Sequence, residues 1–288
     1  MGDLVVFEIL VFGGLLGAIF ALLSLGFSLS YGVARILNLA HGSFYMLGGY
    51  LYYAFFVLSG INSAASLVLA VAVMFILGIG LYLAIIRPVR SSPVRVLLIT
   101  LSAAVVVQEI VTLVLGNRNV GEPNIIGGIS RPLGVFVENQ EILAAGVSLA
   151  MFVAVWLFIR MTKVGKAVQA VAQDGDAASL MGINNTRISA LTVGLSAATA
   201  GLAGIMLGPL MGIAPDSWLN ATVIAFAVVI LGGLGSVPGT LLAAFVVSYS
   251  QIFVGFEISS SYEIIIPLAV IAVAVLVRPK GLLGKVEE

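Results

Sequence analysis

Residues 163–187 read KVGKAVQAVAQDGDAASLMGINNTR, a polar, helix-forming island between long apolar runs. Hydrocarbon offers nothing to solvate its lysines, aspartates and amides, so the island stands outside a bilayer. The runs on either side of it, 141–160 and 189–211, then read as membrane helices leading into and away from it. With Arg160 just upstream, it carries Lys163, Lys166 and Arg187, which makes it the largest polar feature of the basic side of the molecule.

The rest of the chain agrees. It is 61% hydrophobic and 9% charged, with a mean hydropathy of +1.19, whereas a soluble domain carries about 25% charged residues. The ~10-residue apolar/polar alternation of a transmembrane barrel is absent. The expected fold class is therefore all-α: one polytopic membrane domain over 1–288 with about nine transmembrane segments, eight to ten at the limits. Spans are predicted at 9–32, 38–58, 61–86, 94–115, 141–160, 189–211, 219–232, 237–256 and 262–277. Gly232–Gly239, rich in glycine and broken by Pro238, separates two of them. Zero cysteines and a single histidine speak against disulfides and metal centres, so no cofactor or metal is expected. No cleavable signal is evident, because Asp3 and Glu8 replace a basic leader.

Charge sets the predicted sidedness. With nine crossings and the N-terminus outside, Arg35, Arg87, Arg90, Arg95, Arg160, Lys163, Lys166, Arg187, Arg278, Lys280 and Lys285 fall on the cytoplasmic side. Only Arg118 and Arg131 fall outside. Merging 219–256 into one span gives a poorer split of eight to five. The outer side then receives a long Gly-, Asn- and Pro-containing loop at about 116–140, too long for a simple turn. It also receives Glu122, Glu138, Glu141, Asp216, Glu257 and Glu263, whose plainest reading is mild acidity left over from topology.

Within the island, Asp174 and Asp176 are natural N-caps, and Asp176–Gly182 reads as one short helix ending on a glycine suited to the left-handed position. Val164, Val168 and Val171 share a face ahead of it. Ala177, Ala178, Leu180 and Met181 suit an apolar groove on another protein; the competing reading is a helix lying on the lipid surface.

Asp176-Ala-Ala-x-x-x-Gly182 resembles the EAA-type coupling loop of ABC import permeases, with Asp for Glu and without the later Ile-x-Leu-Pro half. The whole chain resembles the branched-chain amino acid ABC transporter permease family, the smaller of its two permease types. Gly26–Tyr31, Ile36-Leu-Asn-Leu-Ala-His-Gly-Ser-Phe-Tyr-Met-Leu-Gly48, Gly165–Asn184, Ala225–Gly239 and Arg278–Gly284 carry the likeness, in order along nearly all of the chain. The resemblance implies a non-enzymatic transport subunit of the cell inner membrane. Its expected partners are a paralogous permease (a heterodimer), two cytoplasmic ATPases and an external solute-binding protein; no nucleic acid is expected. Asp176, Ala177, Ala178, Leu180, Met181 and Gly182 would then couple to an ATPase. The chain has no phosphate-binding loop of its own, so ATP hydrolysis falls to that partner and no catalytic residue is expected here.

Four polar residues are pathway candidates. Asn38 and His41 open the second span beside Arg35; the plainer reading makes Asn38 a water-near N-cap and Gly42 a close-packing point. Gln108 and Glu109 are the adjacent polar pair well inside a span, where an acid costs ~2.5–3.5 kcal/mol at the centre. Glu109 lies about 9 Å of helix rise from Leu115, in the outer third. Gly13, Gly14 and Gly17, like Gly201, Gly204 and Gly208, form small faces for close helix approach. Two other function classes stay open: a permease of this architecture for amides, urea or sugars, and a stand-alone secondary transporter. The latter usually displays mid-membrane acids, and this chain offers only Glu109.

Overall fold

The computed structural model describes residues 2–278 and 280–284; Pro279 and Lys285, both used in the sequence reading, lie outside the described residues. All nine predicted intervals are helical. They are α1 (Gly2–Ala34), α2 (His41–Tyr53, extended by a π turn, Ala54–Leu58), α3 (Ser63–Leu81, extended by Tyr82–Ile86) and α4 (Pro93–Leu115). After α5 (Asn139–Met161) come the two island helices, α6 (Lys163–Gln173) and α7 (Gly175–Leu180). The last four are α8 (Asn185–Met211), α9 (Ser217–Gly232), α10 (Val237–Glu257) and α11 (Ile265–Val277). By length and apolarity six of the described helices are able to cross a membrane, and α9 and α11 are shorter apolar helices. The bundle is all-α, apart from a hairpin in the 116–138 connection where Ile129 pairs with Glu138 and Ser130 with Val137.

Buried small residues make α8 the hub. Its most apolar stretch is 83% buried, against 22% for α4. A Cβ added at Gly48 of α2 would lie 2.4 Å from the Gly201 Cα of α8, and one at Gly204 would lie 2.8 Å from the Tyr45 carbonyl carbon. Backbones this close exclude any larger residue, so Gly201 and Gly204 act as packing points, as small faces do between membrane helices, whereas Gly208 faces the Glu122 carboxyl. On the other side of α1, Gly13 receives the Tyr249 ring and Gly17 the Phe245 ring of α10.

The bundle has two distinct ends. At one, Val33 of α1 clusters with Val168, Val171 and Ala178, Gly32 meets Gly235, and Leu282 and Leu283 donate backbone hydrogen bonds to Leu231 and Gly232. Arg35 and Arg90 line the same end, so it is called the arginine end below. At the opposite, loop end, Val120 bridges Ile213, Phe12 stacks on Phe256 and Gln251 donates to the Glu263 carbonyl.

Candidate functional site

The island folds as two capped helices laid against the arginine end. Thr162 Oγ1 accepts from Gly165 N at 2.9 Å and so starts α6 directly after α5. Gly165 is required there because a Cβ would strike the Phe158 and Ile159 carbonyls. Gln169 Nε2 reaches back to Ile159 O at 2.8 Å, which holds α6 against the end of α5. Val168 and Val171 are buried on Val33, while Val164 on the same predicted face is 38% exposed.

Asp174, not Asp176, caps α7. Its Oδ1 accepts from Asp176 N and Ala177 N at 2.9 and 3.0 Å, and its extended backbone suits an N-cap. Asp176 falls in the first turn, where its charge meets the positive end of the helix dipole. Asn185 Nδ2 bonds the Gly175 carbonyl and so helps to set this register. At the other end Gly182 has φ +84°. Its N–H donates to Ser179 O and that of Ile183 to Ala178 O. That is the two-bond Schellman closure, which calls for a residue tolerant of the left-handed region.

The six residues expected to dock a partner therefore divide. Leu180 and Met181 are 89% and 84% exposed, and Ala177 is exposed beside them. Ala178 is 5% exposed and packs inward on Val33, Val168 and Val171, which corrects the expectation that it is presented outward. Asp176 and Gly182 shape the helix. A cleft of about 460 Å³ opens beside α7 and is lined by Arg90, Asp174, Asp176, Asn185 and Ser189 among others. Two large apolar side chains thus project from a rigid, polar, doubly capped turn that is anchored to α1.

The four pathway candidates do not converge. His41 is fully buried. Its Nε2 lies 2.9 Å from Leu23 O and its Nδ1 3.2 Å from Ser196 Oγ. A carbonyl only accepts, so Nε2 carries a proton, and the ring staples α1 to α8 through its two nitrogens. Asn38 is 1% exposed, not near water. Its Oδ1 accepts from Ala40 N at 3.1 Å, and the N-cap of α2 is Ala40, without a side-chain cap. Gln108 Oε1 accepts from Trp218 Nε1 and ties α4 to α9. Glu109 is exposed on α4 among Val105, Val106, Ile110 and Leu113, pointing away from the bundle.

One site escaped the sequence reading. Glu122, counted among the outer acids, is buried, and neither carboxyl oxygen has a hydrogen-bond partner among the described residues. Its only sequence signal is its position in a loop too long for a turn.

The architecture is that of a multi-pass helical membrane protein, and comparison with known proteins makes this specific. Residues 9–275 match the family described as branched-chain amino acid transport system / permease component, and the chain belongs to that family. It is 31% identical over 290 residues to the high-affinity branched-chain amino acid transport system permease protein LivH of Escherichia coli K12, covering 96% of this chain and 94% of that one. It is 29% identical to BraD of Pseudomonas aeruginosa, described in the same words, over 96% and 95% of the two chains. The ribose import permease protein RbsC of E. coli K12 is 31% identical over 161 residues, 53% of this chain and 48% of RbsC. Among solved structures, a chain of PsaBC from Streptococcus pneumoniae in complex with Fab superposes with a TM-score of 0.54, at 14% identity, over 93% and 91% of the two chains. That likeness concerns the fold alone.

Proposed function

We propose that the chain is the membrane-spanning permease subunit of an ATP-driven ABC importer for branched-chain or hydrophobic amino acids, seated in the cell inner membrane. The observation that carries this reading is the end-to-end match to permeases named for branched-chain amino acid transport. The whole chain forms one transmembrane domain of nine crossings, N-terminus outside and C-terminus cytoplasmic. Segment 162–188 is its cytoplasmic coupling loop and 116–140 its external loop. Supporting this topology, Arg35, Arg90, the island and the 280–284 tail gather at one end and the 116–138 connection at the other.

The permease pairs with a paralogous permease to enclose the pathway. Two ATPases bind at the arginine end, with Leu180 and Met181 of each α7 seated in an apolar groove, and a solute-binding protein delivers cargo at the loop end. Closure of the ATPases on ATP pulls α7, and the packing of Ala178 on Val33 transmits that pull to α1. Gln108 and His41 hold helices together along the way, the first joining α4 to α9 and the second α1 to α8.

Reconstitution tests the reading. Vesicles with the assembled complex and binding protein take up radiolabelled leucine only with ATP, and excess ribose, urea or amides leave that uptake intact. The isolated chain neither hydrolyses ATP nor transports. Ion-gradient-driven uptake by the isolated chain would replace this reading with a secondary transporter, and competition by ribose or amides would move the substrate class.

A further inference from the structure

Glu122 belongs to the connection between α4 and α5, yet its side chain enters the bundle between the loop ends of α2 and α8. A Cβ at Gly208 would lie 2.6 Å from its Cδ, and one at Gly49 would lie 2.8 Å from its Oε1, so glycine at both positions makes the slot that receives it. The chain beside it is clamped. Val120 and Ile213 exchange both backbone hydrogen bonds, at 2.9 and 3.0 Å. Tyr50 OH also donates to Ile213 O at 3.3 Å, and Asn119 Nδ2 donates to Met211 O at 3.4 Å.

Among the described residues nothing in the slot favours a charge, and neither carboxyl oxygen has a hydrogen-bond partner there. Tyr45 and Tyr52 of α2 are the titratable groups that sense Glu122, and the 205–211 turns of α8 contain no titratable residue. From the α8–α9 connection comes Asp216, an acid, beside Tyr50. Arg118, four residues earlier in the same connection, lies by Gly116. An ionised carboxylate left without donor or cation in such a place is strongly disfavoured.

We propose that Glu122 is a proton-held latch: as the neutral acid it pins the connection across the loop ends of α2 and α8, and as the carboxylate it leaves the slot for water and frees that connection. Burial pushes the docked carboxyl up to about 9 from the ordinary value of 4.5. Docking therefore takes up a proton throughout that window. The latch is tightest below the ordinary carboxylate range, loosens by up to about tenfold per pH unit as pH rises, and stops loosening above about 9, where both states are ionised. On the topology proposed above the latch faces the external medium, but the test does not depend on sidedness or substrate.

Hydrogen exchange of the full chain in lipid nanodiscs, corrected for intrinsic rates, reads the latch directly at the Val120 and Ile213 amides. Between pH 6 and 9 their protection should fall several-fold or more per unit. The Asn139 amide, bonded to Gly128 O elsewhere in the same connection, should hold steady. Glu122→Gln, neutral at every pH, should make the two amides insensitive to pH. Flat protection in the unmodified chain overturns the proposal, and so does an equal fall in Glu122→Gln.

Discussion

The segments joining α5 to α8 and α4 to α5 are both polar interruptions of an apolar chain, and they handle polarity in opposite ways. The first turns its polar groups to water or to its own caps and leaves two apolar side chains, Leu180 and Met181, uncovered. The second sends a carboxyl into the bundle without a hydrogen-bond partner among the described residues. On the proposed function a partner protein covers the one, and on the proposed latch a proton settles the other. In a membrane protein, then, the polarity of a connection does not by itself say which way its side chains point.

The largest expected effect breaks the anchoring of the island. Ala178→Asp places a charge against Val33, Val168 and Val171, where an unpaired buried charge costs about 3–5 kcal/mol. Trypsin cleavage at Lys163, Lys166 and Arg187 should rise sharply, and ATPases should no longer co-purify. Next comes the exposed pair. Leu180→Asp with Met181→Asp should leave the trypsin pattern unchanged but weaken ATPase association more than tenfold, the loss of a hot spot worth about 2 kcal/mol or more. If instead the ATPases co-purify normally with the double variant, α7 lies on the lipid surface. Gly182→Val should cost about 1–3 kcal/mol, because its left-handed backbone disfavours a β-branched residue. A Cβ meets no atom there, so strain alone is at work, and Gly182→Asn should be milder. Smallest are the two aspartates: Asp174→Ala should cost about 1 kcal/mol of helix stability, and Asp176→Asn only a few tenths. Segmental hydrogen exchange ranks them, and the reverse order would return the cap to Asp176.

The helical intervals were legible in the sequence because hydropathy and glycine or proline breaks are local signals. The turn at 233–236 and the left-handed Gly182 came out where the residue types placed them. What stayed hidden depends on distant chain. Two aspartates two residues apart are equal candidates for a cap until Asn185 bonds Gly175 O. Ala178 reads as presented until Val33, far away in sequence, is packed against it. Asn38 reads as a water-near N-cap because the sequence cannot display the packing that leaves it 1% exposed, and His41 does not reveal that Leu23 O and Ser196 hold its ring. Glu122 is the extreme case: its slot is formed by Gly49 and Gly208, which look like ordinary packing glycines.

The most direct test of the coupling account is a pair of photo-crosslinking probes in the assembled transporter, one replacing Leu180 and one replacing Asn124, both exposed positions at opposite ends of the bundle. The account predicts that the Leu180 probe crosslinks to an ATPase subunit and that the Asn124 probe never does. A Leu180 probe that labels only lipid, or an Asn124 probe that captures the ATPase, contradicts it.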